Sequence, residues 1–121
     1  MISKFFTTDQ KTIDQYYHVP KSFMYKDSEY FKMSPMSKLL YALLVDRQKL
    51  SLQHGWIDSE NRIYLKFRQA EMCELMGISH PKTLRKYLNE LADAGLLYRE
   101  RMGLTEPDHL YLLKDNYQYI L

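Results

Sequence analysis

Met72-Cys73-Glu74-Leu75-Met76-Gly77-Ile78-Ser79-His80-Pro81-Lys82-Thr83-Leu84-Arg85-Lys86-Tyr87-Leu88 is the stretch on which the fold turns. Two apolar-periodic runs meet at Gly77-Ile78-Ser79. Glycine enters the left-handed conformation that stops a helix at little cost. Ile78 suits the space between two helices. Ser79 is expected to cap the second helix, with Pro81 in its first turn. Leu75, Met76, Leu84 and Leu88 are expected to bury the joint. That leaves the opposite face of the second helix outward, the arrangement of a helix-turn-helix.

The outward face reads Lys82, Arg85, Lys86 and Asn89, with His80 and Thr83 near its amino end. Arg and Lys donate to guanine, Asn pairs both ways with adenine, and Thr bonds or packs on a thymine methyl. A recognition helix enters the major groove amino end first, so His80, Lys82 and Thr83 are expected deepest. A soluble amphipathic helix would carry the same residues, so the neighbouring elements have to decide.

Upstream, Ser34-Pro35 starts a helix, and Leu39, Leu40, Leu43 and Leu44 follow at helical spacing to about Lys49. Gly55 and residues 58–61 mark a loop. Arg62 to Phe67 alternates like a strand with one buried face. A short helix runs from about Gln69 to Met76. Downstream of Gly95, residues 96–101 read as a strand, 102–108 as a turn and 109–113 as a returning strand. The order is helix, strand, helix, turn, helix, hairpin: a mainly α fold with a small β part, the winged helix-turn-helix. The expected organisation is an aromatic-rich arm over residues 1–33 and a winged-helix DNA-binding domain over 34–121, forming one compact domain overall.

Charge supports that assignment. The chain carries a net charge of only +2. From Arg62 to Asn89, however, six basic residues (Arg62, Lys66, Arg68, Lys82, Arg85, Lys86) face two acidic ones, Glu71 and Glu74, a local +4 that leaves −2 for the rest. Lys66 and Arg68 therefore join the candidate DNA contacts. In the hairpin, Arg99 and Arg101 are candidates for phosphates or the minor groove, but Glu100, Glu106 and Asp108 make the segment net negative. A wing that grips phosphate should be basic, so a wing used for protein contact is the alternative.

Other chemistries find little support. One cysteine, Cys73, excludes an intramolecular disulfide, and its place beside Met72 and Met76 suits packing rather than nucleophilic attack. The four histidines are scattered, so no metal site is expected. There is no phosphate loop or dinucleotide glycine motif, and no cofactor is expected. No signal-peptide core or membrane-spanning run appears, which points to a cytoplasmic protein. The chain is not expected to be an enzyme.

Several stretches outside the helix-turn-helix resemble a known family, the amino-terminal domain of RepA-type replication initiators from plasmids of low-GC Gram-positive bacteria. They are Tyr17-His18-Val19-Pro20-Lys21, the run Lys38 to Arg47, Leu50-Ser51, Gly55-Trp56-Ile57-Asp58, Arg62-Ile63-Tyr64, Leu91 to Leu97, and Arg101 to Leu104. The resemblance implies a winged-helix fold binding double-stranded DNA at origin repeats as a homodimer. It also implies an initiator that recruits host replication proteins through a carboxy-terminal domain absent here. The chain departs from the family in the wing, where Glu106-Pro107-Asp108-His109 stands in place of Lys-Pro-Asn-Arg. The alternatives are a winged-helix transcriptional repressor and a winged helix used for protein assembly only.

Three further expectations concern single residues. Asp46 and Arg47 are candidates for a local ion pair. Trp56 looks like a large aromatic anchor after a turn. Tyr16, Tyr17 and Phe23 in the arm pack either on a partner subunit or, the favoured reading, on their own core.

Overall fold

The first long helix, α1 (Pro35–His54), is set at both ends by its caps. Ser34 Oγ accepts the Ser37 N–H at 3.2 Å, and Pro35 occupies the first turn, where its missing donor costs nothing. The helix runs five residues past Lys49, because nothing from Leu50 to His54 can break it. It stops at Gly55, at φ 70°. In the computed structural model, residues 4–9 and 15–117 are described. Parts of the expected arm (1–3 and 10–14) and of the expected domain (118–121) lie outside the described residues.

Strand β1 is only Leu65–Lys66, shorter than the expected 62–67. Residues 62–64 belong to a separate tight hairpin. Ile63 bridges Ile57 rather than a sheet neighbour. Asp58 Oδ1 accepts the N–H groups of Glu60 and Arg62 at 2.9 and 2.8 Å, and Arg62 Nε donates to Asp58 Oδ2 at 2.8 Å. A carboxylate that gathers three donors closes its own turn and takes Ile63 out of the sheet.

Helices α2 (Gln69–Met76) and α3 (Pro81–Asp93) follow, then β2 (Leu97–Glu100) and β3 (His109–Leu112). The antiparallel sheet has the order β1-β3-β2, with Leu65 opposite Leu110 and Leu97 opposite Leu112. Three helices and this small sheet make a winged helix-turn-helix. Its core gathers Leu40 and Leu44 of α1, Leu65 of β1, Met72 of α2, Leu84, Leu88 and Leu91 of α3, and Leu96. Among the described residues no helix is long and apolar enough to cross a membrane.

The arm region contributes to the same core. A 3-10 turn over Lys21–Met24 carries Phe23, whose ring meets Tyr30 at 5.4 Å and Tyr41 at 5.2 Å between centroids. Phe23 and Tyr30 are fully buried, whereas Tyr16 and Tyr17 are exposed. The core reading therefore holds for Phe23 and not for the two tyrosines. The far end of the chain sews this layer down. Ser22 Oγ donates to the buried Asp115 carboxylate, Tyr41 Oη donates to Leu113 O at 2.8 Å, and Asn116 N donates to Tyr30 Oη at 3.1 Å. Burial, with Asp115 nearby, pushes the Tyr41 hydroxyl up to about 12, so it stays a donor at any ordinary pH.

Several local expectations are corrected. Leu75 is 59% exposed. On α2 the buried arc is Met72, Cys73 and Met76, and Leu75 points about 60° outside it at 100° per residue. The cap of α3 is His80, not Ser79, because Pro81 takes the first helical position; no side chain closes that end. Leu39 also lies outside the α1 stripe and is exposed. Arg47 does not pair with Asp46, which lies about 100° around the helix. Its guanidinium sits 3.9 Å from the Phe67 ring centre and bonds Glu71 at 2.9 Å, tying α1 to α2. Asp46 approaches Lys49 instead, at 3.5 Å. Trp56 is only half-buried, stacked on His54 at 4.7 Å.

Candidate nucleic-acid interface

α3 is a helix of two unlike faces. Leu84, Leu88 and Leu91 are buried to 0–1% exposure. Around the other side His80, Lys82, Arg85, Lys86 and Asn89 are exposed, with Thr83 half-buried. These residues line an open hollow of about 1040 Å³ that runs along the helix as far as Asp93. The leucines at i, i+4 and i+7 anchor one side, so the cations have only the outward side left.

The electrostatics of this face are polarised. None of Lys82, Arg85 and Lys86 forms an ion pair among the described residues. No acidic residue lies in the first turn of α3. The helix amino end therefore keeps its partial positive charge next to Lys82, a setting that favours an anion. The carboxyl end of the same hollow carries Glu90 and Asp93.

Glu90 holds α3 in position, a role the sequence analysis did not identify. Its Oε1 accepts the Ser34 N–H at 2.6 Å, joining the middle of α3 to the cap of α1. Burial pushes its carboxyl up. Hydrogen bonds from the Ser34 N–H and from the Ser37 and Ser34 hydroxyls, together with the Lys86 charge, outweigh burial and hold it below the usual range. A local signal was present: Glu90 follows Lys86 by one turn. Its long-range partner was not legible.

The remaining candidates are dispersed. Arg99, on β2, is half-buried and donates from Nη2 to Asn89 Oδ1, so it joins the α3 site. Arg68, the residue preceding α2, is exposed and lines a crevice of about 230 Å³ with Arg99, Glu106 and Asp108. Arg101 is exposed just beyond β2. Lys66 is drawn over the Trp56 ring, 5.6 Å from its centre. Strand alternation turns it away from the core side taken by Leu65. The α3 residues and Arg99 thus form one surface, Arg68 adjoins it, and Lys66 belongs to a different face.

Residues 15–119 match the family described as replication initiator protein A (RepA) N-terminus. The chain belongs to that family. Solved structures with the same fold agree. One, described as "Structure of Rep-DNA complex", has a TM-score of 0.78 at 29% identity, covering 96% of this chain and 88% of that one. A second, "N-Terminal domain of DNA binding protein", has 0.77 at 29% identity, with 97% and 88% covered. A third, "Structure of MDR initiator", has 0.76 at 32% identity, with 95% and 89% covered. A curated relative, "41 kDa protein" of Lactobacillus helveticus, is 27% identical over 118 residues. That match covers 93% of this chain and only 33% of the relative, so the chain spans about one third of its length.

Within this RepA N-terminal domain the wing keeps the acidic character its sequence indicates. Glu106 is exposed and Asp108 half-buried. The His109 ring is half-buried and lies flat on Tyr64, 4.1 Å away and tilted by 11°.

Proposed function

We propose that this domain binds double-stranded DNA by laying α3 in the major groove, at repeated sites in a plasmid origin, as the DNA-marking part of a replication initiator. The observation that carries this reading is the outward face of α3. Three basic side chains with no ion pair among the described residues stand over a buried leucine stripe, beside a helix amino end free of acids. Such a face is costly in self-repulsion unless a polyanion meets it. Membership of the RepA N-terminal family and likeness to a Rep protein in a DNA complex support the same reading.

The domain acts as a homodimer, with two copies of α3 meeting matched half-sites of a repeat. It works by binding alone, without cofactor or catalysis, in the cytoplasm. Host replication proteins are engaged by a further domain of the whole protein. The threefold greater length of the Lactobacillus helveticus relative supports this.

The test is direct. Lys82→Ala and Arg85→Ala are expected to weaken binding to the cognate repeat. Loss of a base-reading contact costs about 1–3 kcal/mol and relaxes specificity, whereas loss of a phosphate contact lowers the salt slope by about one. Unchanged affinity and salt dependence in both variants would remove α3 as the DNA-contacting element.

A further inference from the structure

Asn89 and Arg99 come from different elements, α3 and the first wing strand, yet their side chains are bonded to each other. An arginine only donates, so the amide atom facing it must be the oxygen Oδ1, and Asn89 Nδ2 with its two hydrogens is turned elsewhere. Asn89 is exposed, lies one turn beyond Arg85 on the same side of α3, and lines the same hollow. Arg99 has two carboxylates close at hand, since Glu106 and Asp108 share its crevice, but it forms an ion pair with neither.

This bond changes what Asn89 offers to a ligand. A free asparagine pairs with adenine by accepting from its amino group and donating to N7. Here one lone pair of Oδ1 is taken, and a full positive charge sits beside the other. An adenine amino group arriving there would meet a guanidinium, donor against donor. An acceptor meets the amide N–H and the guanidinium N–H together. Resting on the DNA-binding reading above, we infer that Asn89 and Arg99 form one donor-only unit. It takes a hydrogen-bond acceptor of the duplex, either the O6/N7 edge of guanine or a phosphate oxygen, and it disfavours adenine.

The experiment starts from duplexes that the wild-type chain selects out of a randomised pool. Each base pair of the selected site is then exchanged in turn, and affinities are measured for wild type, Asn89→Ala, Arg99→Met and Arg99→Lys. If the acceptor is guanine, wild type prefers guanine over adenine by about ten-fold at one position, and Asn89→Ala erases that preference. Arg99→Met and Arg99→Lys both narrow the same preference; Arg99→Lys, which keeps the charge, does so without changing the salt slope. If the acceptor is a phosphate, Asn89→Ala and Arg99→Met weaken all duplexes alike, and a neutral methylphosphonate at one linkage reproduces the loss. Adenine as the preferred base at the Asn89-dependent position overturns the inference. So does an Asn89→Ala variant that binds as wild type does, or an Arg99→Met variant with unchanged base ranking and affinity. A wild-type chain that selects no duplex at all defeats the DNA-binding reading instead, and that result is separate. All three substitutions replace side chains that are exposed or half-exposed, and thermal melting checks that each variant is folded.

Discussion

Replacing Glu90 tests whether α3 is held in place by a charged bond to the α1 cap. The Glu90 carboxylate takes the Ser34 N–H at 2.6 Å. A hydrogen bond to a charged group contributes about 1.5–3 kcal/mol, against about 0.5–1.5 for a neutral one. Glu90 is half-buried, so the lower part of each range applies, and Glu90→Gln should cost about 1 kcal/mol. For a domain this size that lowers the melting temperature by about 4 °C. The folded-state pKa is lowered, so the extra stability is fully present above the ordinary glutamate value of about 4.3 and is lost as pH falls through the lowered one. The gap between wild type and Glu90→Gln should be complete at pH 7, still near complete at pH 5, and should close in stronger acid. Circular-dichroism melts of both proteins across that range measure it, and other acid-sensitive groups cancel in the difference. Equal melting temperatures at pH 7, or a gap that does not shrink in acid, would refute the charged clamp.

Three other outcomes are expected. Leu84→Ala should cost about 2–5 kcal/mol in denaturant unfolding, whereas Leu75→Ala should stay within about 0.5 kcal/mol, because Leu84 is fully buried and Leu75 is exposed; similar losses would mean the α2 register is wrong. Burial pushes the Asp58 carboxyl up, but its bonds to Arg62, Tyr111 and the Glu60 N–H bring it down to about 2. The hairpin should therefore hold above about pH 3.9 and open as pH falls through about 2, read by fluorescence of the nearby Trp56 and lost in Asp58→Asn. Glu106→Lys should raise general DNA affinity in a filter-binding or anisotropy titration, and no change would show that the wing tip points away from the duplex.

Much of this architecture was legible because the signals were local. Ser34-Pro35 start α1, and Gly77 and Pro81 bound the turn between α2 and α3, each through backbone chemistry that involves only a few neighbouring residues; the end of α1, expected at about Lys49, comes only at Gly55. The outward face of α3 was legible for the same reason, since its leucines repeat at helical spacing. What failed was whatever a distant partner decides. Ile63 reads as a strand residue until the Asp58 turn claims it. Leu75 reads as core until the narrow arc of an eight-residue helix is seen. Phe23 sits in a segment with no period, and only Tyr30 and Tyr41 explain it. The bond from Arg99 to Asn89 likewise joins two elements and has no local signal in the sequence.

The distribution of charge along α3 suggests why a domain of net charge +2 suffices for a polyanion. Affinity for phosphates depends on the cations within reach, not on the sum over the chain, because charges beyond about 10 Å are screened at 0.1 M salt. Lys82, Arg85 and Lys86 are within a turn or so of the helix amino end. Of the acids on the helix, Glu90 lies one turn beyond Lys86 and is bonded to Ser34, and Asp93 stands at the carboxyl end. The field at the surface is therefore directional: attractive at the amino end, and weakened towards the carboxyl end and the acidic wing. On the proposed reading, a duplex is drawn to one end of the helix and held off from the other. In that reading the field orients the domain before any base is read, and a gain of affinity in Glu106→Lys would mark Glu106 as a limit on non-specific binding.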